Sequence, residues 1–576
     1  MCGIIGCSLS NDSKYDILTH LSKLEYRGYD SCGVTDLINN QFFTFKSTNR
    51  ISDLMNKKTT YSKLSIAHTR WATHGEVSVT NAHPITDYNN KYMIVHNGII
   101  ENYKELKETY LNNIPFNTST DTEVIVNLFS FLSNSNSIIN SLNQLTKILH
   151  GTYACLIMDK ESEAIYFLKN KSPLLIGRGI DIILASDVLS FDENVKQYYR
   201  LNDLEYGYVN NNEIKLFYNN EEIRPTFINF TYENIDNNNM KYKHYMEKEI
   251  FETKELLYKQ VEKKIDKKII SFIKQANKII LIGSGTSYHA CLLGKYFFNH
   301  LSNLESYAYI SSEFEYLNYY NEKDLFIVIS QSGETADLVN VINSLKIHNH
   351  KILSITNSDN NTISSLTNIN INIEAGREIA VASTKTYTIS SFILYKLACL
   401  KEDIYDNIEV INSINSLEEI YNNKNDYYAL SKKLYNNKNL FFLGKGYDYL
   451  ISQEASLKFK EITYIHSESF SCGELKHGTI SLIHEGFPVI YFISDKNDKI
   501  IRNSIEEVKS RGAKVYIIST KEASLKGDDY IINTENKNLA FIPFAVILQL
   551  ISYYTALLLN NDVDKPRNLA KSVTVL

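Results

Sequence analysis

The chain has 576 residues, of which 44% are hydrophobic and 22% are charged, and its net charge is −6. This length is too great for one hydrophobic core and predicts two to four domains of a soluble globular protein. The small acidic excess, with lysine and arginine scattered along the chain, gives no electrostatic basis for binding nucleic acid. The seven cysteines are dispersed and lack paired metal-ligand spacing, which favours a reducing, cytoplasmic environment over a disulfide framework.

The first part of the chain, 2–236, alternates short β-type runs with helical stretches. GTYACLIMD at 151–159 is typical of the strands, and 16–24 and 122–133 are typical of the helices. This alternation of strand-type and helix-type segments predicts an α+β layered domain in which helices pack over antiparallel strands. The opening residues turn polar too soon for a signal peptide. The Asn-rich stretch 233–239 indicates a linker, which we place at 237–245.

The second part of the chain contains an internal repeat. KIILIGSGTSYHA at 278–290 matches NLFFLGKGYDYLI at 439–451, and each copy is an apolar strand, a Gly-x-Gly turn and a helix start. The repeat predicts two doubly wound α/β domains, 246–420 and 421–565, followed by a tail, 566–576. A dinucleotide fold is only weakly indicated, because neither copy completes G-x-G-x-x-G.

One segment, Leu539 to Leu559, is long and apolar enough to span a bilayer. It contains proline, glutamine, serine and threonine, and it lacks a basic flank. We therefore predict a buried helix that begins near Pro543 and no membrane association.

The N-terminal chemistry centres on Cys2, which becomes the first residue once Met1 is removed. A thiol beside a free α-amino group is a nucleophile with its own general base. The alternative is a small apolar residue in an edge strand. Other groups suit an amino-acid amide: Arg70 for an α-carboxylate, Asn97 with Gly98 for an oxyanion, and Asp121 for an ammonium group. A helix N-cap is the alternative for Asp121.

The C-terminal chemistry begins at SQSGET, 330–335, which follows an apolar strand and precedes a helix. Hydroxyls and backbone N–H groups at a helix N-terminus form a phosphate site, and Ser287 ends the neighbouring strand in the same way. Simple capping is the alternative. A nucleoside triphosphate is disfavoured, because neither turn carries a P-loop lysine or an acidic magnesium ligand.

A helical run and the chain end supply ionisable groups. Glu454, Lys458 and either Lys460 or Glu461 share one helix face, although a solvated charge pair would have the same spacing. His477 follows in CGELKHG. Lys571 lies among small uncharged residues. If desolvation lowers its pKa there, this lysine can form a Schiff base. A mobile basic tail is the alternative.

CGIIG, LEYRGYDS, HTRWATHG, NAHP, HNGIIEN and TDTE, in this order, resemble an N-terminal-nucleophile glutamine amidotransferase. The resemblance implies that Cys2 attacks the amide of L-glutamine and that Asn97 and Gly98 form the oxyanion hole. It also implies a set of residues that hold the amino acid: Arg70, Trp71, Thr73, His74 and Asp121. Cys32 departs from the family pattern, which has a small residue such as alanine.

SGTSY, SQSGET, VASTKTY, LKFKEITYIHSE, GELKHG and DVDKPRNLAKSVTV resemble paired sugar-isomerase domains, and the whole chain resembles isomerising glutamine–fructose-6-phosphate aminotransferases. This implies that fructose 6-phosphate forms an imine with Lys571, that Glu461 moves a proton between C1 and C2 with help from Lys458, and that His477 assists ring opening. The implied sugar-phosphate contacts are Ser287, Ser330, Gln331, Ser332, Thr335, Val381 and Ala570.

The same resemblance implies a homodimer in which His477 reaches the site of the partner subunit, Trp71 as a gate for ammonia, and no cofactor or metal. Two departures, GSGTSY and GTISLI, concern loop packing. Two alternatives remain open. One is a different amidotransferase that makes phosphoribosylamine or asparagine, which lacks support from a pyrophosphate or ATP motif. The other is a sugar-phosphate sensor without catalysis, which would not need Cys2, Glu461 and Lys571 together.

Overall fold

The computed structural model describes residues 2–11, 13–71, 75–210, 213–232, 241–316, 320–359 and 361–573. The linker predicted around 233–239 lies outside the described residues. By its internal contacts the chain divides into two units, Met1–Asn237 with Ser572–Leu576, and Asn238–Lys571.

The first unit is a layered α+β domain, as the sequence predicts. Its helices are α1 (Ile17–Ser22), α2 (Ile51–Lys57), α3 (Tyr103–Tyr110), α4 (Asp121–Ser133) and α5 (Ile138–Ile148). Its strands are β1 (Gly3–Ser8), β2 (Ser31–Ile38), β3 (Gln41–Ser47), β4 (Leu64–Arg70), β5 (Ile85–Thr86), β6 (Tyr92–Ile100), β7 (Gly151–Asp159), β8 (Ala164–Asn170), β9 (Leu175–Gly179), β10 (Ile182–Ala185), β11 (Val195–Arg200), β12 (Tyr206–Asn210), β13 (Glu213–Tyr218), β14 (Glu221–Ile223) and β15 (Ile228–Asn229).

These strands form two antiparallel sheets, ordered β15-β11-β9-β10-β1-β4-β2-β3 and β14-β13-β12-β8-β7-β6-β5. Residues that alternate along a strand face opposite sides. In β1, Ile4 therefore joins the core between the two sheets, whereas Ile5 joins a core with α1 and α2. In β6, Ile94 packs with α4 and α5 on the other side. The result is four layers with three apolar cores, in which almost every position of β1, β4 and β6 is buried.

The second unit carries the predicted repeat. Its helices are α6 (Tyr245–Glu262), α7 (Lys267–Gln275), α8 (Thr286–Leu301), α9 (Ala336–Ile347), α10 (Thr362–Leu366), α11 (Lys385–Lys401), α12 (Asn407–Asn422), α13 (Lys424–Leu434), α14 (Tyr447–Thr463), α15 (Lys499–Lys509) and α16 (Phe541–Leu558). Its strands are β16 (Ile279–Gly283), β17 (Ser306–Ile310), β18 (Leu325–Ser330), β19 (Lys351–Thr356), β20 (Ile369–Asn372), β21 (Asn439–Gly444), β22 (His466–Ser471), β23 (Pro488–Ile493), β24 (Lys514–Thr520) and β25 (Tyr530–Ile532).

The two sheets of this unit are parallel and have the same order, β17-β16-β18-β19-β20 and β22-β21-β23-β24-β25. Their central strands are continuous apolar runs because helices cover both faces. The Gly-x-Gly turns also match, since Gly285 and Gly446 both have φ near +55° and each precedes a helix. Side chains with a Cβ rarely adopt this conformation, so the two glycines serve the same turn.

The apolar segment Leu539 to Leu559 forms α16 in the core of this unit. Among the described residues, the helix from Lys537 to Leu558 alone is long and apolar enough to cross a membrane, and 89% of its most apolar window is buried inside the protein. Pro543 lies in the first turn, where no intrahelical partner for its missing N–H exists. The prediction of a buried core helix is confirmed.

Candidate active sites

In the first unit the candidate site starts at Cys2. Strand β1 pairs with β4 so that Gly3 faces Thr69, which brings Cys2 alongside Trp71. The backbone N–H of Trp71 points at the Cys2 Sγ at 3.3 Å, and the Gly3 N–H donates to the Thr69 hydroxyl at 3.0 Å. Burial raises the pKa of the Cys2 thiol, while the positive charges of the chain's amino terminus and of Arg70 act to lower it. A nearby base is therefore needed to generate the thiolate.

Asn97 and Gly98 lie in β6 next to this cysteine. The Asn97 side-chain amide donates to the Cys2 carbonyl oxygen at 2.8 Å, which leaves its second N–H for a ligand. Gly98 has a φ of +136°, and a Cβ there would stand 1.9 Å from the carbonyl oxygen of Thr152. Only glycine fits this close approach of two backbones. The amide of Asn97 is thus held beside the thiol-bearing residue.

Arg70 and Asp121 are both buried near the thiol. The charge of Arg70 lowers the pKa of Cys2 and the charge of Asp121 raises it, and Asp121 also acts on the pKa of Arg70. Asp121 does not cap its helix, because the N-cap of α4 is Thr120; its carboxylate instead accepts the N–H of Ile100 at 2.8 Å. The two charges face the same small region. Thr73 and His74 lie outside the described residues.

Two buried histidines support this region and were not singled out by the sequence. A ring nitrogen of His68 lies 3.0 Å from the His96 carbonyl oxygen, and a ring nitrogen of His96 lies 3.0 Å from the Thr122 hydroxyl. Burial lowers the pKa of His68 well below its usual range, so its ring is neutral at pH 7. His68 is the first residue of the HTRWATHG motif, and its place in this motif is the sequence signal that could have identified it.

In the second unit, the phosphate-type turns lie at the carboxyl ends of β16 and β18. Strand order reverses between these neighbours, which is where doubly wound sheets bind ligands. Within the described residues, no side chain caps the N-terminus of α8 or of α9, so capping does not satisfy their N–H groups. Simple Ser/Thr capping is therefore disfavoured for SQSGET. The positive ends of two helix dipoles converge here.

The hydroxyls of the SQSGET turn form hydrogen bonds within the turn itself. The Ser330 Oγ accepts the N–H of Gly333 at 3.0 Å and lies 2.9 Å from the Thr335 hydroxyl, and Ser332 accepts the N–H of Glu334 at 3.2 Å. A small cavity beside the turn is lined in part by Ser287 and Gln331. The remaining lining residues come from α8, from the first two turns of α11 and from the loop before α11: Thr286, Ala290, Ser383, Thr386, Tyr387 and Ser390.

Helix α14 presents its ionisable face to the same region. Lys458 is fully buried, with its Nζ 2.7 Å from Glu461, 3.6 Å from Glu454 and 3.4 Å from the hydroxyl of Thr286. Burial alone would lower the pKa of Lys458, but the nearby carboxylates outweigh it and raise the pKa. Glu461, not the exposed Lys460, is the third member of this face. Lys458 and its two carboxylate partners are therefore largely buried and do not form a solvated charge pair.

Lys571, in the tail, forms an ion pair with a carboxylate that the sequence analysis did not identify. Its Nζ lies 2.5 Å from Glu378, and the side chains are 5% and 0% exposed. Glu378 also accepts the N–H groups of Thr384 and Thr386 at 2.9 and 3.0 Å. Burial raises the pKa of Glu378, but Lys571 and these donors lower it to about 2 overall. A buried lysine is thus held in place by an ionised glutamate.

The other predicted sugar contacts are distributed around this pair. Val381 follows Glu378 by three residues and donates its N–H to the Asp564 carbonyl at 2.9 Å, and Ala570 adjoins Lys571. His477 is exposed on a short 3₁₀ helix, and its side chain makes no hydrogen bond to Lys571 or Glu461 in the described part of this chain. Among the described residues, no group of three His, Cys, Asp or Glu side chains could hold a metal ion.

In the second repeat, among the described residues, carboxylates of the chain occupy two of the corresponding positions. Asp498 caps α15 by accepting the N–H groups of Ile500 and Ile501, so this helix start is already occupied by a carboxylate. Asp448 stands in the repeat where Ser287 stands in the first, and it accepts the N–H and hydroxyl of Ser494 at 2.8 and 2.6 Å. Carboxylates of the chain itself fill the positions that a phosphate would use.

Comparison with known proteins identifies both units. The family model for a glutamine amidotransferase domain matches 68–193, and the SIS domain model matches 272–400 and 433–559. A glutamine–fructose-6-phosphate aminotransferase (isomerizing) from Oceanobacillus iheyensis is 39% identical over 599 residues, and one of the same name from Staphylococcus aureus is 40% identical over 606 residues. Both alignments cover 100% of this chain and of the relative.

A solved structure agrees with these matches. The C-terminal domain of glucosamine-fructose-6-phosphate aminotransferase from Francisella tularensis superposes with a TM-score of 0.52 and 29% identity, covering 57% of this chain and 99% of that one. The N-terminal layered sheets and the paired parallel sheets are the architecture expected from the two family models. With full-length identity near 40%, the chain belongs to the isomerising glutamine–fructose-6-phosphate aminotransferase family.

Proposed function

We propose that this chain hydrolyses glutamine at Cys2 and uses the ammonia to convert fructose 6-phosphate into glucosamine 6-phosphate. The observation that carries the proposal is the buried Lys571–Glu378 pair in the unit that also holds two uncapped helix N-termini and the Lys458–Glu461 pair. An amine, a proton-transfer carboxylate and an anion site are the groups that amination of a sugar phosphate requires.

In the first half-reaction, the Cys2 thiolate attacks the amide carbon of glutamine. A thioester forms, ammonia leaves, and water then releases glutamate. The amide of Asn97 and the N–H of Gly98 stabilise the oxyanion, and each such donor lowers the activation free energy by about 3 kcal/mol. Arg70 holds the α-carboxylate and Asp121 the ammonium group, with Trp71, Thr73 and His74 completing the pocket.

In the second half-reaction, Ser287, Ser330, Gln331, Ser332 and Thr335 hold the sugar phosphate. The Lys571 amine adds to C2 of the open-chain ketose, water leaves and an imine forms. Ammonia then replaces the lysine at C2. Glu461 transfers a proton from C1 to C2, and Lys458 stabilises the charge that develops beside it. Val381 and Ala570 contact the sugar.

The first experiment measures glucosamine 6-phosphate formed from glutamine and fructose 6-phosphate without ATP or metal. Cys2→Ser is expected to stop synthesis from glutamine and to keep synthesis from added ammonium. Lys571→Ala is expected to stop synthesis from either nitrogen source while glutamate release continues. Product formation that depends on ATP, or synthesis that persists in Lys571→Ala, would refute the assignment and favour another amidotransferase.

Ammonia transfer has its own test. We propose that ammonia reaches the sugar through an apolar passage gated by Trp71, because moving neutral ammonia into an apolar environment costs far less than moving ammonium. In a mixture of unlabelled glutamine and ¹⁵N-ammonium, the product should carry unlabelled nitrogen. In Trp71→Ala, part of the product should carry ¹⁵N. The variant should also release more glutamate than it forms product. An unchanged labelling ratio in Trp71→Ala would rule out the gate.

We also propose the assembly and its location. The exposed His477 suits a homodimer in which it serves the site of the partner subunit, and the chain is cytoplasmic, with domains at 2–236, 246–420 and 421–565, a linker at 237–245 and a catalytic tail at 566–576. Mixing inactive His477→Ala and Lys571→Ala chains should restore activity, since one site in each mixed dimer is then intact. Failure of the mixed dimers to regain activity would place His477 in its own subunit's site.

A further inference from the structure

The first turns of α6 hold the loop that follows Glu378. Glu249, in the second turn, is 2% exposed, and one of its carboxyl oxygens accepts the N–H groups of both Ile379 and Ala380, the latter at 3.2 Å. The other oxygen is buried and has no hydrogen-bond partner among the described residues. A buried carboxyl with one oxygen fully used and the other unpaired is a costly arrangement that calls for a role.

The same helix end also holds the tail that carries Lys571. The N–H groups of Tyr245 and Met246 donate to the Asp564 carboxylate at 3.0 and 2.8 Å, and the carbonyl of Asp564 accepts the N–H of Val381. Backbone N–H groups that donate to the carboxylates of Glu249 and Asp564, and one that donates to the Asp564 carbonyl, therefore connect the start of α6, the loop 378–381 and the tail from Asp564. Glu249 thus bonds the two residues that directly follow Glu378, the partner of Lys571.

Three charged groups act directly on Glu249, namely Glu378, Lys571 and Lys385. Burial, with the charge of Glu378 next in size, raises the pKa of Glu249 to about 8, and Lys571 and Lys385 only partly oppose this. The other ionisable groups that the packed elements turn toward α6 have partners there already. They include Lys396 of α11 on the carbonyls of the α6 end, and Glu418 and Tyr421 of α12 on Lys254 and on the carbonyl of Ile250. They also include Tyr553 of α16 on His244, Glu374 on Lys263, and Asp564 of the tail.

We infer that Glu249 is a positioning residue for Lys571 that works in its protonated form: it holds the Glu378 loop through one oxygen and keeps a second negative charge away from the lysine. This rests on the proposed imine chemistry of Lys571. The lysine adds to the ketose carbon only as a neutral amine, and a second ionised carboxylate beside it would stabilise the ammonium form. With Glu249 protonated, Glu378 is the only carboxylate that binds the amine among the described residues.

Glu249→Gln tests this directly, since glutamine keeps the accepting oxygen and mimics the protonated carboxyl at every pH. The imine between Lys571 and fructose 6-phosphate is trapped with borohydride between pH 6 and 9 and quantified by mass spectrometry. We expect equal initial trapping rates within about twofold at pH 6.5. At pH 9, where a group of pKa about 8 is roughly nine-tenths ionised, the variant should trap up to about tenfold faster than the parent. Glu255→Gln, an exposed change on α6, is the matched control and should follow the parent.

Circular dichroism and urea unfolding, measured on the same preparations, report whether each variant is folded. Identical pH profiles for the parent chain and Glu249→Gln would overturn the inference, and so would a loss of trapping in Glu249→Gln at every pH to the level of Glu249→Ala. If the parent chain itself traps no adduct on Lys571, the proposed function fails and takes this inference with it. If the parent chain forms the trapped imine normally and Glu249→Gln has the same pH profile, the inference fails and the proposed function stands.

Discussion

Replacing Glu378 with glutamine is expected to destabilise the unit 238–571 in a pH-dependent way. The side chain is fully buried, and its carboxylate binds Lys571, two backbone N–H groups, and the hydroxyls of Ser383 and Thr386. Glutamine preserves the shape but removes the charge that balances Lys571. Breaking one side of a buried ion pair leaves the other charge uncompensated, which costs about 3–5 kcal/mol.

The pKa of Glu378 gives an independent magnitude. It is about 2 in the folded chain, against an ordinary value of about 4.3 in an unfolded one. A carboxyl whose pKa falls on folding stabilises the folded state above its unfolded pKa, here by about 3 kcal/mol at pH 7. That contribution declines as the pH falls from about 4.3 toward 2, and about 1 kcal/mol of it is lost by pH 3.5. Both approaches therefore predict a loss of about 3 kcal/mol at pH 7.

Urea unfolding, followed at pH 7 and at pH 3.5, measures this difference. The control is Glu374→Gln, four residues earlier, which removes a more exposed pair with Lys263 and should change the free energy of unfolding by less than about 1 kcal/mol. For Glu378→Gln we expect a deficit of about 3 kcal/mol at pH 7 that narrows to about 2 at pH 3.5. A deficit below that of the control at pH 7, or one that widens on acidification, would refute the reasoning.

Three other changes have clear expected outcomes. Gly98→Ala puts a Cβ 1.9 Å from the Thr152 carbonyl and should lower glutamate release more than tenfold while ammonium-dependent synthesis continues; near-normal glutamate release would contradict the packing. Lys396→Met removes hydrogen bonds to three backbone carbonyls at the end of α6 and should cost about 2–3 kcal/mol in urea unfolding, whereas the exposed Lys259→Met should cost far less. Burial raises the pKa of Asp448 to about 7, so the parent chain should lose stability relative to Asp448→Asn as the pH rises from 4 to 7; a constant difference in free energy would contradict this.

Much of the fold could be predicted from hydrophobic periodicity and from the residues that favour turns. The strand at 151–159, the helix around 122–133 and the repeat at 278 and 439 are where the patterns predict them, because alternation, apolar runs and Gly-x-Gly turns are local properties. Element ends are less well determined by local sequence: the motif HTRWATHG begins inside β4, and this strand ends at Arg70. Where a strand stops depends on its neighbour, and β1 reaches only as far as Gly3 on this side.

By itself the sequence determined the two kinds of domain. It also predicted the reactive side chains, since Cys2, Lys458, Glu461 and Lys571 lie in distinctive local motifs. The tertiary structure alone decided which carboxylates surround the lysine. Glu249 is one of several charged residues in the run EKEIFETKE, and nothing in that run singles it out. Glu378 is separated from Lys571 by 193 residues of chain. Their ionisation depends on burial and on partners brought together by folding, and neither burial nor distant partners can be derived from the order of residues along the chain.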